Sequence, residues 1–559
     1  MATGKQAPTD PLLETEHDLA DEPSGAANIS LASAIGRMKA LMGFMMLYAL
    51  LNWSENDMAL SFYRTLVWCP PSYPPHCPTG SVPSSNADSA SAHPCVSVPR
   101  SSDEWSGSLH CFDKDLTLNH ATKVGGQLAS TNTGMQIAAA VLLGPLIDLN
   151  GRRGILALGI FGYFVASAFW FGASCLAHDA GTTAGIGAAQ RSMLFIGVFI
   201  GSGLNCFIPA SNAMVGDYAS MSVPANRQSG SASASSADAG PKLRNTFYTA
   251  ISAFRTAGTL LAFVVCFAVL RRDFGDYRYL WVSTALISLT AACGCRLCVR
   301  ETMPARRQLL AEDDGDNRGG NSGSQWCTCR LQAAASTALR ELRDGWRIIR
   351  RDRFLALLLA ASFPVLASIY GAVYTNGSFL LKTLSYTQSI ASLAGIFQPI
   401  AMMVGYALGE RLTRLRGAIF VYVLGCVCIA AGCCGAGLSA IPTNADGTAN
   451  FSAQALYWVS WIVTGFGFGF LSPSSLALIS ARVAQFELGK VMSVYQVVAM
   501  LGTLTGSYVW TNQIWVWSET GARSKLGTIY FVSAALQSGV ALMISALGAR
   551  YYREDQRIE

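Results

Sequence analysis

Apolar residues in this chain fall in long blocks separated by short polar stretches, and the block length selects the element. A helix rises about 1.5 Å per residue, so about 20 mostly apolar residues cross the roughly 30 Å of a bilayer's hydrocarbon. By that measure helices are expected near 40–68, 127–148, 154–177, 191–215, 245–270, 278–298, 353–376, 386–409, 417–438, 454–481, 489–511 and 527–548. The pattern predicts an all-α polytopic membrane protein of about twelve spans, six on each side of a polar segment. The expected organisation is a tail (1–39), an N-terminal half (40–298) with an outer loop (69–126) and a cytoplasmic loop (216–244), a linker (299–352), a C-terminal half (353–548) and a second tail (549–559). Residues 219–243 and 311–325 are Ser-, Gly- or Asp-rich without apolar periodicity and are expected to be flexible loops. From Leu331 to Arg353, Leu339, Leu342, Trp346 and Ile349 recur at helical spacing among many Arg. Two readings stand there: a basic amphipathic helix at the cytoplasmic surface, or a solvated linker helix.

Composition agrees with the pattern. In 559 residues, 51% are hydrophobic and 13% charged, with mean hydropathy +0.33, too little polar material to cover a soluble globule of this size. Lys and Arg set the orientation. With both termini in the cytoplasm, Arg37, Lys39, Arg152, Arg153, Lys242, Arg244, the Arg-rich segment 296–353, Arg411, Arg414, Arg416, Arg482, Lys490, Arg550 and Arg553 all fall inside. The net charge of +6 is thus a topological signal, with no nucleic-acid partner implied. The acidic N-terminal segment lacks the basic start and apolar core of a cleavable signal, so the first span is expected to serve as the targeting signal. The plasma membrane and an endomembrane compartment both remain open.

The segment Gly144-Pro-Leu-Ile-Asp148-Leu-Asn-Gly151-Arg152-Arg153 joins two of these spans, with charge confined to the gap. It resembles the loop between the second and third helices of the major facilitator superfamily. That resemblance implies a transporter fold in which Gly144, Asp148, Gly151, Arg152 and Arg153 form a conformational latch on the cytoplasmic side. Gly405-x-x-x-Gly409-Glu410-Arg411 looks like a degraded second copy after the eighth span, adding Glu410 and Arg411. Phe470-Leu-Ser-Pro473, Ala477-Leu-Ile-Ser-Ala-Arg482 and Glu487-Leu-Gly489-Lys490-Val-Met-Ser493 resemble the tenth helix and following loop of the proton-coupled folate transporter family and its tetracycline-transporter-like relatives. Met214-Val-Gly-Asp217, Arg244-Asn-Thr-Phe247 and Arg300-Glu301-Thr302 fall where that family places similar residues. The Arg, Glu and His shared by folate-transporting members fall on Leu476, Ala253 and Ile369 or Tyr370, so the resemblance leaves folate as cargo in doubt. All six His lie outside the expected spans, which excludes an intramembrane His relay. The Gly-Pro-rich fifth-helix signature of drug/proton antiporters is missing at Ala257-Gly258-Thr259-Leu260, which weakens an efflux reading.

A charge at the bilayer centre costs about 3 kcal/mol even on lenient scales, so ionisable residues inside spans are functional candidates. These are Glu55 and Asp57 in the first span and Arg255 in the fifth. They bind or couple, or they mark a span's end and neutralise one another as a buried pair. Asn205, Ser211 and Asn212 in the fourth span, Tyr370 and Tyr374 in the seventh, Gln398 in the eighth and Gln496 in the eleventh either line the same cavity or bond between helices. Gly465-Phe-Gly467-Phe-Gly469 reads as close helix packing. No nucleotide-binding loop or metal-ligand spacing is present, so neither an enzyme, a cofactor nor a metal is expected. The expected function is secondary active transport of a small organic solute, proton-coupled through a first-span carboxylate, by a monomer in the lipid bilayer. A non-transporting receptor or sensor with the same fold and a drug/proton efflux antiporter are the alternatives.

Asn376-Gly-Ser378 and Asn450-Phe-Ser452 are glycosylation sequons on the outer side, close to span ends. Of the 16 Cys, Cys69, Cys77, Cys95 and Cys111 fall in the long outer loop, where an even count in an oxidising compartment predicts two disulfides of open connectivity. Cys426, Cys428, Cys433 and Cys434 read as small packing residues, and Cys327-Thr-Cys329 as a palmitoylation candidate. The outer-loop thiols are therefore expected to resist an impermeant maleimide until a reductant is added. Labelling of all four without reduction refutes the pairing.

Overall fold

A computed structural model describes residues 31–68, 114–150, 152–176, 185–221, 239–271, 277–300, 302, 336, 339–340, 342–386, 388–444, 449–483, 487–519, 523–548 and 550–551; for some stretches within helices, among them 54–61 and 144–150, it describes the backbone only. Helices dominate. The N-terminal half comprises α1 (Leu31–Leu66), α2 (Lys114–Asn150), α3 (Arg152–Cys175), α4 (Ala188–Gly203), α5 (Phe207–Met221), α6 (Ala239–Arg271) and α7 (Tyr277–Cys298). The C-terminal half comprises α8 (Arg353–Thr383), α9 (Gln388–Gly395), α10 (Phe397–Arg416), α11 (Ala418–Leu438), α12 (Phe451–Arg482), α13 (Leu488–Val509), α14 (Trp515–Glu519) and α15 (Thr528–Met543). With α4–α5, α9–α10 and α13–α14 each counted as one interrupted span, the fold has the twelve spans expected. The first two-residue strand (Val67–Trp68) pairs antiparallel with the second (Gly185–Ile186) where the first span ends and the fourth begins, the side expected to be outer.

Among the described residues nine helices are long and apolar enough to cross a membrane. The spans that fall short are α1, whose apolar stretch is Met38–Trp53, and α2 and α13. The last two carry Ser130, Thr131, Asn132 and Thr133, and Thr503, Thr505 and Ser507, because they face each other across the two halves instead of facing lipid. Helices also run past the expected spans. The fourth extends to Met221 and the fifth starts at Ala239, both inside the stretch expected as a connection at 216–244; residues 222–238 lie outside the described residues. Cys69, Cys77, Cys95, Cys111 and Gly151 lie outside them too, and the ten described Cys are free thiols.

Lipid supplies no hydrophobic drive between helices, so association rests on close packing at small residues. The Gly465/Gly467/Gly469 series does this on two faces. A Cβ on Gly465 would stand 2.7 Å from Gln398 O, and one on Gly469 2.6 Å from Met402 O and 2.7 Å from Gly405 Cα, all on α10. On the opposite face Gly467 meets Ile429 and Gly425 of α11 at 2.6–2.7 Å. Gly405 thus packs against α12. The Asn376 sequon is corrected outright: it lies inside α8, where Asn376 Oδ1 accepts from Tyr457 Oη at 2.5 Å and Tyr530 Oη at 2.6 Å. Asn450 caps α12 by accepting from Ala453 N at 2.9 Å.

Gly469→Ala is expected to cost about 1–3 kcal/mol by overpacking and to lower the thermal midpoint of the purified protein. Gly539→Ala, whose added Cβ meets nothing within 4 Å, should leave that midpoint unchanged or raise it.

Candidate functional site

The fourth span is broken, and the break organises the centre of the N-terminal half. Pro209 has no N–H to donate, which suits the first turn of a helix. Helix α5 accordingly restarts at Phe207 after a non-helical link at 204–206. Asn205 Oδ1 accepts from Phe207 N at 3.3 Å, and Asn205 exchanges hydrogen bonds with Tyr48 Oη at 3.1–3.2 Å. A span interrupted at mid-membrane is tolerated where it lines a cavity or is buried in protein.

A cavity of ≈ 90 Å³ opens beside this break. Its mid-membrane wall carries Asn52, Asn132, Tyr163, Ser202 and Asn205; its outer wall carries Tyr63, Thr122 and Trp170; among the described lining residues Tyr374 of α8 is the one from the C-terminal half. The polar groups are held by each other. Tyr163 Oη donates to Asn52 Oδ1 at 2.8 Å, while Asn132 Oδ1 accepts from Ser202 Oγ at 2.7 Å and Gln136 Nε2 at 2.8 Å. The Tyr48 ring stacks on Phe207 at 4.2 Å and meets Tyr163 edge-on at 5.4 Å. Gly162 and Gly201 bring α3 and α4 into backbone contact, Gly201 Cβ being 2.6 Å from Gly162 O if built. Phe62, Tyr63, Trp170 and Trp281 pack above, with Trp170 and Trp281 4.7 Å apart. No charged residue is among the described lining residues.

The two halves meet on the outer side through small residues. Thr122 and Ser378 hydroxyls lie 2.6 Å apart, Ser130 and Ser507 hydroxyls 3.1 Å, and Trp515 Nε1 donates to Asn119 Oδ1 at 3.4 Å. Gly126 is pressed against Thr511, which belongs to a π-turn (Trp510–Ile514) that offsets the eleventh span. Gly395 likewise accommodates the Phe263 ring. Near mid-membrane, Thr256 and Tyr406 hydroxyls are 3.5 Å apart.

The expected site residues divide. Asn205 and Tyr374 line the cavity, and Tyr370 lies beside Tyr374 with ring centroids 6.3 Å apart. Arg255 sits on α6 within electrostatic reach of Tyr48 and Tyr406, one from each half, and makes no ion pair among the described residues. Gln398 is buried at the start of α10 against Gly465, a packing position. Ser211 is fully buried with its hydroxyl donating to Ile208 O at 2.9 Å, so it serves its own helix. Asn212 is half-buried on α5, outside the lining. Glu55 and Asp57 lie on α1, Glu55 one turn after Asn52, with side chains outside the described residues. His120 lies on α2 ahead of its apolar stretch, where burial and then Lys123 hold the imidazole below its usual value. Of the residues expected to form a latch, Gly144 and Asp148 occupy the last turns of α2, Arg152 opens α3 at 8% exposure, Arg153 and Glu410 are half-buried and Arg411 is exposed. Sequence reasoning missed Asn52, Asn132, Tyr163 and Ser202. Their signal was a polar group at mid-span, shared with many residues that only bridge helices.

A model of the Major Facilitator Superfamily matches residues 112–507. No curated protein matches the chain by sequence. Among solved structures, the xylose transporter XylE from E. coli in a partially occluded inward-open conformation is similar at TM-score 0.54 and 14% identity, covering 91% of this chain and 98% of that one. The human organic anion transporter MFSD10 is similar at TM-score 0.53 and 12% identity, with coverages of 94% and 100%. A bacterial homolog of the human lysosomal transporter Spinster, inward-facing and unoccupied, gives 0.53 and 13%, with coverages of 96% and 99%.

If small residues alone let the outer seam close, Gly126→Trp should hold it apart. A cysteine placed at Ser130 is then expected to react with an external maleimide several-fold faster in the Gly126→Trp background than in an otherwise unchanged protein. Equal rates refute the seam as the closure.

Proposed function

The chain belongs to the major facilitator superfamily, and from that premise we propose that this membrane transporter is a secondary active carrier that moves a small organic solute by alternating access. The observation that carries the reading is a polar cavity at a broken mid-membrane helix beneath an outer seam built from Gly, Ser and Thr. Such a seam separates without stranding large apolar surface. Tyr374 gives the C-terminal half a contact with the cavity, so rocking of the halves changes the site's access. We assign Arg255, between Tyr48 and Tyr406, to an anionic group on the cargo, the class named for MFSD10. Glu55 or Asp57 takes up the coupling proton; a related fold, XylE, is named as a proton:xylose symporter. The tenth-span motif around Pro473 favours a branch resembling the proton-coupled folate transporter family, with the cargo changed by Ala253, Leu476 and Ile369 or Tyr370. The latch of Asp148, Arg152 and Arg153 sets the rate of cycling.

Vesicles loaded with an extract of cell metabolites, with and without the reconstituted protein, identify what crosses; an imposed pH gradient should drive it and a protonophore should stop it. Transport insensitive to the gradient removes the proton, and binding without transport favours the sensor. For an anionic cargo, charge-assisted hydrogen bonds of about 1.5–3 kcal/mol each predict that Arg255→Ala weakens apparent affinity at least about tenfold. Arg255→Lys should recover part of it, because Lys keeps the charge and loses the planar fork. Normal abundance with unchanged affinity in Arg255→Ala refutes the role.

A further inference from the structure

The linker ends in a helix, 342–351, that is separated from α8 by Asp352 alone. Asp352 caps α8, its Oδ1 accepting from Leu355 N at 2.9 Å, and its Oδ2 lies 3.8 Å from Arg482 Nη1 at the inner end of α12. One flank of the linker helix is docked: Ile349 is 2% exposed in the C-terminal core, and a Cβ on Gly345 would stand 2.5 Å from Lys490 O at the start of α13. The helix therefore lies across the inner mouth of the C-terminal half, at the depth where α8 and α13 enter the membrane.

Its opposite flank is covered by nothing among the described residues. Leu339 is 60% and Trp346 47% exposed, and Arg340, Arg343, Arg347, Arg350, Arg351 and Arg353 are exposed with them. At about 100° per residue, Leu339 and Trp346 lie within about 20° of each other, next to the docked flank. Arg350, Arg343, Arg347, Arg340 and Arg351 follow in an arc from about 40° to about 140° round from Trp346. The order is thus protein, apolar edge, cationic edge. Asp344 offsets one of these charges, pairing with Arg347 at 3.3 Å. A merely solvated helix has no use for an exposed indole bordered by arginines. An interfacial one does, since indole prefers the headgroup level and guanidinium pairs with phosphate.

We propose that the outer flank of helix 342–351 docks on anionic phospholipid headgroups of the cytoplasmic leaflet, with Trp346 and Leu339 at the acyl boundary and the arginine arc on the phosphates. This ties the start of α8 to the leaflet, beside the half that supplies Tyr374 to the cavity. The proposal rests on the cytoplasmic placement of the linker and is independent of cargo.

The test uses the full-length protein in vesicles of phosphatidylcholine alone or mixed with phosphatidylserine. After detergent extraction, native mass spectrometry should show phosphatidylserine retained over phosphatidylcholine, and R343Q/R347Q/R350Q should reduce that preference by about threefold or more. In the same vesicles, lipids brominated near the headgroup should quench a component of tryptophan emission that Trp346→Phe removes. An unchanged lipid preference in the triple variant overturns the proposal. So does quenching identical with and without Trp346, the outcome of a helix that faces water or a soluble protein.

Discussion

Helices in a bilayer gain nothing from hiding apolar surface from one another, because lipid tails are as apolar as leucine. What holds this bundle together is backbone contact at glycine. Gly465, Gly467 and Gly469 let α12 press on α10 and α11 from two sides, and Gly162 with Gly201 does the same for α3 and α4. Gly258 closes α1 onto α6 at Met46, and Gly506 closes α13 onto α8 at Ala367. The site exists because this packing is interrupted. Where α4 ends at Gly203, the chain needs three residues before α5 resumes, and the freed polar groups are met by Asn205, Tyr48 and the cavity.

The same economy of size governs the contact between halves. Thr122, Gly126 and Ser130 recur at one-turn intervals along α2 and meet Ser378, Thr511 and Ser507. Each hydroxyl bond at this seam is worth about 1 kcal/mol net, and a separated hydroxyl finds water as a substitute. A seam of this kind holds a conformation without locking it. The cores within each half are different in kind: aromatic clusters such as Phe379, Tyr457, Trp461 and Tyr530 bury large surfaces against one another.

Charge is distributed by the same logic. Arg482 and Asp352 pair where the linker meets the bundle, Lys382 and Glu519 pair at 3.1 Å at the opposite end, and the exposed arginines gather on one linker face. Arg255 alone stands near mid-membrane among the described basic residues without an ion pair there, within electrostatic reach of tyrosines of both halves. A cation held so deep is costly unless something compensates it.

Span number, the two-half organisation and the class of the protein were legible from residue order, because each span must satisfy its own backbone and carry its own apolar length. The glycine series on the tenth span was legible as packing for the same local reason. The cavity was not. Asn52, Asn132, Tyr163 and Ser202 come from four different spans, and nothing local separates them from Ser211, which bonds its own helix, or Gln398, which is buried where α10 packs on α12. Likewise Asn376 reads as an outer sequon in sequence and proves to be the shared acceptor of two tyrosines from two other helices. A polar residue in a span must find a partner, and sequence states that need. Which partner meets it depends on how the helices rotate and tilt against one another, and only the tertiary structure decides that.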